Sequence, residues 1–445
     1  MDQFQTSLEA PPSLAELVPP MQTRPKPASL RPATSYLDGL RGIAALLVYT
    51  YHYAMALDGK RLRYGHGSHN SSLLSLPVLR LVHSGPAMVA IFFTISGYVL
   101  SVGPLRHARQ RRWDRLLTHL SGAMLTRPVR LLVPSVFLTV ASLLLAWFGC
   151  YERAARQMCP PSADCDFYPV APPRFMSARA QTVDWSGFVV RDLANPWAWD
   201  SGLRPASAYG LHLWTVAAEL RCSMALFAVL AALLPCERRR TRAGLWLAMV
   251  VFCALWQRWD MVAFLTGLGL AVGDAREQDN EDDQVPGFGR ASSTTFAASL
   301  WRLVPHVALL ASLWLCSYPD AGGDEAWGFR FLAGISSDRH LWHALGAALM
   351  LWSARRVRPV RHFLSSSPVV QFLGRISFAF YLVHEPLLQV WGWPLARYWS
   401  GSHWTATVLV FVVETCTLLC LASLMWATVD EPVLRMARAI RTYLV

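Results

Sequence analysis

An arginine and a histidine, Arg41 and His52, are separated by ten residues inside one apolar run, Leu37 to Leu57 (LDGLRGIAALLVYTYHYAMAL). Eleven helical steps of about 100° bring the second side chain to within roughly 20° of the first, about 16 Å further along the axis. A fixed positive charge and a proton carrier then share one helix face. Both are costly inside a bilayer, so they are expected to face a cavity or the bundle interior and to mark a function. The bland alternative is an Arg41–Asp38 pair three positions apart, with His52 bonding a neighbouring helix.

Arg127 and Arg130, in Arg-Pro-Val-Arg, come just before another apolar run. They fall on one side of a helix start, where guanidinium forks and free backbone N–H groups can hold phosphate. On spacing alone, anchoring at the positive side of a membrane is the stronger reading. With Arg41 near the cytosolic boundary and His52 deeper, the residues outline a path for an anionic donor whose reactive end reaches the imidazole. Acyl-coenzyme A has that shape, with phosphates at one end and a thioester on a long arm. Glu219 sits within a span and needs a partner from another helix, Arg41 being one candidate. His384 precedes Glu385-Pro386, where the proline frees carbonyls, and is a candidate for the wall of an acceptor cavity. Ser96 and Gly97 read as a helix-packing pair rather than a nucleophile, and Glu414 as a buried hydrogen-bond partner.

The elements that position these groups are helices in lipid. The 445 residues are 53% hydrophobic and only 16% charged, against about a quarter charged in soluble domains. The formal charge of +12 sits in short clusters between apolar runs, which speaks for membrane orientation and against a nucleic-acid surface. Ten spans are expected, starting near Leu37, Pro86, Arg130, Leu211, Gly244, Met261, Leu303, His340, Val369 and Trp404, in an all-α polytopic fold. With the N-terminus in the cytosol, 24 Lys and Arg fall on the cytosolic side and 14 on the other, so both termini are expected inside. The host membrane is expected to be an endomembrane or the plasma membrane.

Around the membrane domain, 37–429, residues 1–36 read as a disordered cytosolic tail, 274–299 as a polar cytosolic linker and 430–445 as a cytosolic C-terminal tail. Residues 150–206 read as a long lumenal loop that either covers the site or hangs free. It holds Cys150, Cys159 and Cys165, which allow one disulfide if the lumen is oxidising. The nine cysteines show no metal-ligand spacing, and neither a metal nor a bound cofactor is expected.

The stretches YLDGLRGIAALLVYTYHY, IFFTISGYVLS, Arg127-x-x-Arg130, LHLWTVAAEL and RISFAFYLVHEP, in that order, resemble the acyltransferase-3 family of integral membrane acyltransferases. The likeness spans roughly Tyr36 to Ala439. It implies ten membrane helices and acyl transfer from cytosolic acyl-CoA to a hydroxyl of a sugar or other small molecule. The family's Arg-x(10)-His motif falls on Arg41 and His52 and its Arg-x-x-Arg motif on Arg127 and Arg130. The expected chemistry is O-acylation with a group of acetyl size, with His52 as general base, Arg41 supporting the donor or the developing charge, and Arg127 with Arg130 on the phosphates. Because the sequence closes soon after the last span, a lone enzyme acting on a small lipophilic hydroxyl compound, such as a secondary metabolite, is favoured. The rival is a proton-coupled or organic-anion transporter, which also uses buried Arg, His and Glu.

Overall fold

Every long apolar run of the sequence becomes a helix. The computed structural model describes residues 34–159, 170–199, 209–282, 296–400 and 404–444. Among them no strand forms beyond two isolated bridges. The fold is all-α. The helices are α1 (Ser35–Leu62), α2 (Gly85–Arg109), α3 (Trp113–Trp147), α4 (Cys150–Met158), α5 (Ala178–Phe188), α6 (Trp214–Leu233), α7 (Arg239–Leu255) and α8 (Trp259–Asp282). They continue as α9 (Phe296–Cys316), α10 (Arg330–Ile335), α11 (Arg339–Arg356), α12 (Arg358–Ser366), α13 (Pro368–Leu387), α14 (Trp393–Ser400), α15 (Trp404–Met425) and α16 (Glu431–Leu444).

Four described stretches are long and apolar enough to cross a bilayer: Gly85–Arg109, Trp113–Trp147, Leu211–Leu233 and Thr405–Tyr443. They mark a membrane protein. The expected ten exceeds that number for a physical reason. Helices such as α1 and α13 have comparable length, but Asp38, Arg41, Gln371, Arg375 and Glu385 lower their apolarity. Such residues are tolerated at depth where they face the bundle interior rather than lipid.

Close backbone approach holds the centre together. A methyl group added to Gly42 or Gly374 would run into the backbone of the facing helix, so α1 and α13 cross at van der Waals distance there. Gly97 of α2 and Gly267 of α8 meet in the same way, which is the packing role expected of the Ser96-Gly97 pair. Tyr36, Leu37, Ala44 and Val48 of α1 join Ala87, Ile91 and Ile95 of α2 and Phe264 and Leu268 of α8 in one core.

Several boundaries differ from the expected ones. The helix expected near Arg130 begins at Trp113 and runs through Pro128 and Pro134, so much of the basic stretch before it is helical. Residues 274–282 of the expected linker continue α8, while 283–295 lie outside the described residues. The segment 150–206 contains α4 and α5, whose Tyr151 and Phe188 are buried with Leu193 and Tyr209 in a second core. Its described residues, 150–159 and 170–199, are thus partly helical and packed on the bundle. Within it Cys159 is disulfide-bonded and Cys150 is a free thiol, and Cys165 lies outside the described residues. The terminal segment from Glu431 is the helix α16, and the N-terminal tail up to residue 33 lies outside the described residues.

Candidate functional site

Where α1, α2, α3, α6 and α13 converge they leave a cavity of about 590 Å³, closed on one side by Trp426, Asp430 and Glu431. Arg41, Arg127, Arg130 and Arg375 line it together with Asp38, Glu219, Asp430 and Glu431. Four of the six predicted site residues are therefore united there. Tyr381, Thr215 and Phe92 line the same cavity.

The arginines are not equivalent. Arg127 is buried; its Nη2 donates to Glu219 Oε1 in an ion pair and its Nε donates to Ser223 Oγ at 3.1 Å. Ser96 Oγ donates to the same Glu219 oxygen at 2.7 Å. The partner of Glu219 is thus Arg127, with Ser96 assisting, and Arg41 is not. Arg41 lies 3.8 Å from Asp38 across a partly exposed i,i+3 pair. Arg130 and Arg375 are exposed toward the cavity, and neither pairs with a carboxylate among the described residues. Arg375 instead stands over the Trp426 ring at 5.8 Å.

His52 and His384 are not on the cavity wall. Tyr381 packs its ring on His384 at 5.3 Å, and His384 packs on His52 at 5.2 Å, so the histidines continue inward from the cavity. Trp393 Nε1 donates to the His52 carbonyl at 3.1 Å and fixes that turn of α1 against α14. His384 is buried, its Nδ1 facing the Tyr381 carbonyl at 2.5 Å, and its Nε2 has no hydrogen-bond partner among the described residues. By this pattern Nδ1 carries the proton and Nε2 is a bare lone pair.

A third histidine completes the group. His212 lies 5.1 Å from His384, ring to ring, and its Nδ1 is hydrogen-bonded to Glu385 Oε2. The His212 backbone N–H donates to the same oxygen at 2.7 Å, and Gln389 Nε2 donates to Glu385 Oε1 at 2.9 Å. Proline explains the remaining contact. Pro386 has no N–H to offer the Leu382 carbonyl, and His212 Nε2 takes that place at 3.0 Å. Tyr381 Oη, bonded to the His212 carbonyl at 3.0 Å and to Thr215 Oγ1 at 2.8 Å, ties this group to the cavity wall. Among the described residues no three His, Cys, Asp or Glu are arranged as metal ligands.

Sequence reasoning did not assign His212, Tyr381, Arg375 or Asp430 to the site. The available signal for His212 was its place at the head of LHLWTVAAEL, seven positions before Glu219. Arg375 was visible as one of three arginines within the expected spans.

The arrangement suits a reaction between an anionic donor and a proton-bearing acceptor. The profile of the acyltransferase-3 family, described as an acyltransferase domain, matches residues 34–426. The O-acetyltransferase PaAT-1 of Phomopsis amygdali is 32% identical over 393 residues, covering 82% of this chain and 74% of that protein. The acyltransferase clz18 of Cochliobolus lunatus is 27% identical over 420 residues, 85% of this chain and 88% of its own. The acyltransferase R4 of a Phoma species is 26% identical over 443 residues, 84% and 87% of the two chains. No solved structure matches the chain significantly. With cavity, histidines and family profile on the same helices, the chain belongs to the acyltransferase-3 family and is a membrane O-acyltransferase.

Proposed function

We propose that this enzyme moves an acetyl group from cytosolic acetyl-CoA to the hydroxyl of a small lipophilic molecule or a sugar, in a multi-pass domain with both termini in the cytosol. The observation that carries the reading is the cavity itself, a cluster of arginines that leads inward to buried imidazoles. Among the described residues Arg130 and Arg375 lie outside ion-pair distance of any carboxylate, and with Arg41 they would hold the donor phosphates. Arg127 neutralises Glu219 and shapes the wall. The coenzyme arm would run past Phe92 and Tyr381 toward His52.

His52 then acts as general base. Its imidazole takes the acceptor hydroxyl proton as the oxygen attacks the thioester carbonyl. The carbon–sulfur bond breaks, and the imidazolium returns the proton to the departing thiolate, so the reaction closes without net proton uptake. Acetyl as the group follows the O-acetyltransferase name of PaAT-1, and the acceptor class follows the apolar residues between the arginines and the histidines. The test is to incubate purified protein in lipid nanodiscs with radiolabelled acetyl-CoA and a lipophilic metabolite extract. Coenzyme A release with the label moving into an ester supports the proposal. In proteoliposomes, solute flux without thioester cleavage would overturn it.

A further inference from the structure

Two arginine clusters of the sequence, HARQRRWDR and CERRRTR, read as positive-side anchors, yet the fold joins them at one pocket of about 380 Å³. It lies among the ends of α2, α6, α7 and α8, away from the cavity described above. Among the described residues five arginines, 109, 111, 239, 242 and 276, line it with a single acid, Glu237. We propose that this pocket binds an anion carrying several phosphate groups, such as a polyphosphorylated lipid headgroup or its soluble counterpart.

Four observations support an anion site here. Arg111, Arg239, Arg242 and Arg276 form no ion pair with a carboxylate among the described residues, whereas Arg355 and Arg356 nearby on the same end pair with Asp274 and Glu277. Helix α7 starts in the pocket wall with no side-chain cap and no acid in its first turn. Its free N–H groups and the positive end of its dipole therefore add to the arginines instead of opposing them, an arrangement that costs stability unless an anion is bound. Arg111 is held at φ 54°, a left-handed conformation that non-glycine residues seldom adopt and that tends to persist at binding sites. Trp113 lines the rim, 40% exposed, as tryptophans do at headgroup depth. Anchoring requires positive charge on one side of a membrane; it does not require a concave pocket with an uncapped helix aimed into it.

The experiment measures binding to the purified full-length protein in nanodiscs. One arm titrates inositol hexakisphosphate onto phosphatidylcholine discs; the other compares discs with and without phosphatidylinositol 4,5-bisphosphate by thermal stability. Binding in either arm is expected, with the lipid arm dominant if the source is a headgroup and the soluble arm if it is not. The triple variant Arg111→Gln, Arg239→Gln, Arg242→Gln is expected to bind at least about tenfold more weakly. The variant Arg358→Gln, Arg361→Gln removes charge elsewhere on the chain and is expected to change binding less than about twofold. Without anion, the triple variant is expected to melt no lower than the parent protein. Absence of binding in both arms, equal binding by the triple variant, or equal loss in the control pair would overturn the proposal.

Discussion

The wide cavity and the histidine group behind it solve the problem of polar side chains in a membrane in opposite ways. The cavity balances four arginines with four acids, leaves Arg130 and Arg375 exposed to it, and commits only Arg127 fully, to Glu219. The histidine group is closed. Glu385, His212, the Leu382 carbonyl and Gln389 satisfy one another, and the unpartnered atom in this group is His384 Nε2, beside His52. Exposed arginines outside ion-pair distance of the cavity acids suit a large, flexible anion, whereas a satisfied shell around one bare nitrogen suits a proton that must move between fixed points. In the proposed reaction, recognition and chemistry would then occupy different regions, joined by Tyr381.

The hardest test of that division is His52→Ala. Loss of a general base lowers turnover by roughly 10²- to 10⁴-fold. Because the histidines lie off the cavity wall, binding of acyl-CoA is expected to stay within about twofold. Calorimetry with a non-hydrolysable acyl-CoA analogue measures the second quantity and single-turnover assays the first. If both fall together, the two regions are one.

Arg127→Ala comes next. It strands Glu219 against Ser96 with no counter-charge, and removing one partner of a buried pair costs about 3–5 kcal/mol. A lowered melting temperature in detergent is expected, with most of the loss recovered when Glu219→Gln is added. Loss of donor affinity with unchanged stability would make Arg127 a phosphate ligand instead.

Arg130→Gln touches only the recognition half. It is expected to raise the Michaelis constant for acyl-CoA by about tenfold, leaving turnover at saturation and the constant for the acceptor nearly unchanged. A fall in saturated turnover of similar size would place Arg130 in the chemical step.

How far these contrasts were legible in the sequence depends on the range of the interaction. The shared face of Arg41 and His52 follows from helical periodicity, and the close packing at Gly97 follows from the absence of a side chain. The all-α membrane class was equally visible in composition. The partner of Glu219 was not, because Arg127 reaches it from a helix 92 positions away, and the crossing of α3 and α6 decides which cation arrives. His212 has the same difficulty. Its position ahead of α6 has no helical period, and its acceptors, Glu385 and the carbonyl freed by Pro386, lie some 170 residues along. Proline announced a free carbonyl without naming the group that would bond it. Span boundaries blurred because a helix need not stop at the bilayer surface, as α3 shows by starting at Trp113.

The smallest effect is the most discriminating, because its sign differs between readings. Asp38 lies 3.8 Å from Arg41 with its side chain 56% exposed, in an i,i+3 pair worth about 0.3–0.5 kcal/mol. Its place in the first turn of α1 adds a few tenths through the helix dipole. Asp38→Asn is therefore expected to lower stability by less than about 1 kcal/mol. At the cavity, however, Asp38 competes with any anion for Arg41, so its neutralisation is expected to lower the Michaelis constant for acyl-CoA by about two- to threefold, opposite in sign to Arg130→Gln. The comparison needs only initial-rate assays of the two variants at fixed ionic strength. If the constant rises in Asp38→Asn, the carboxylate orients Arg41 instead of masking it, and the exposed arginines cease to explain how the cavity holds its donor.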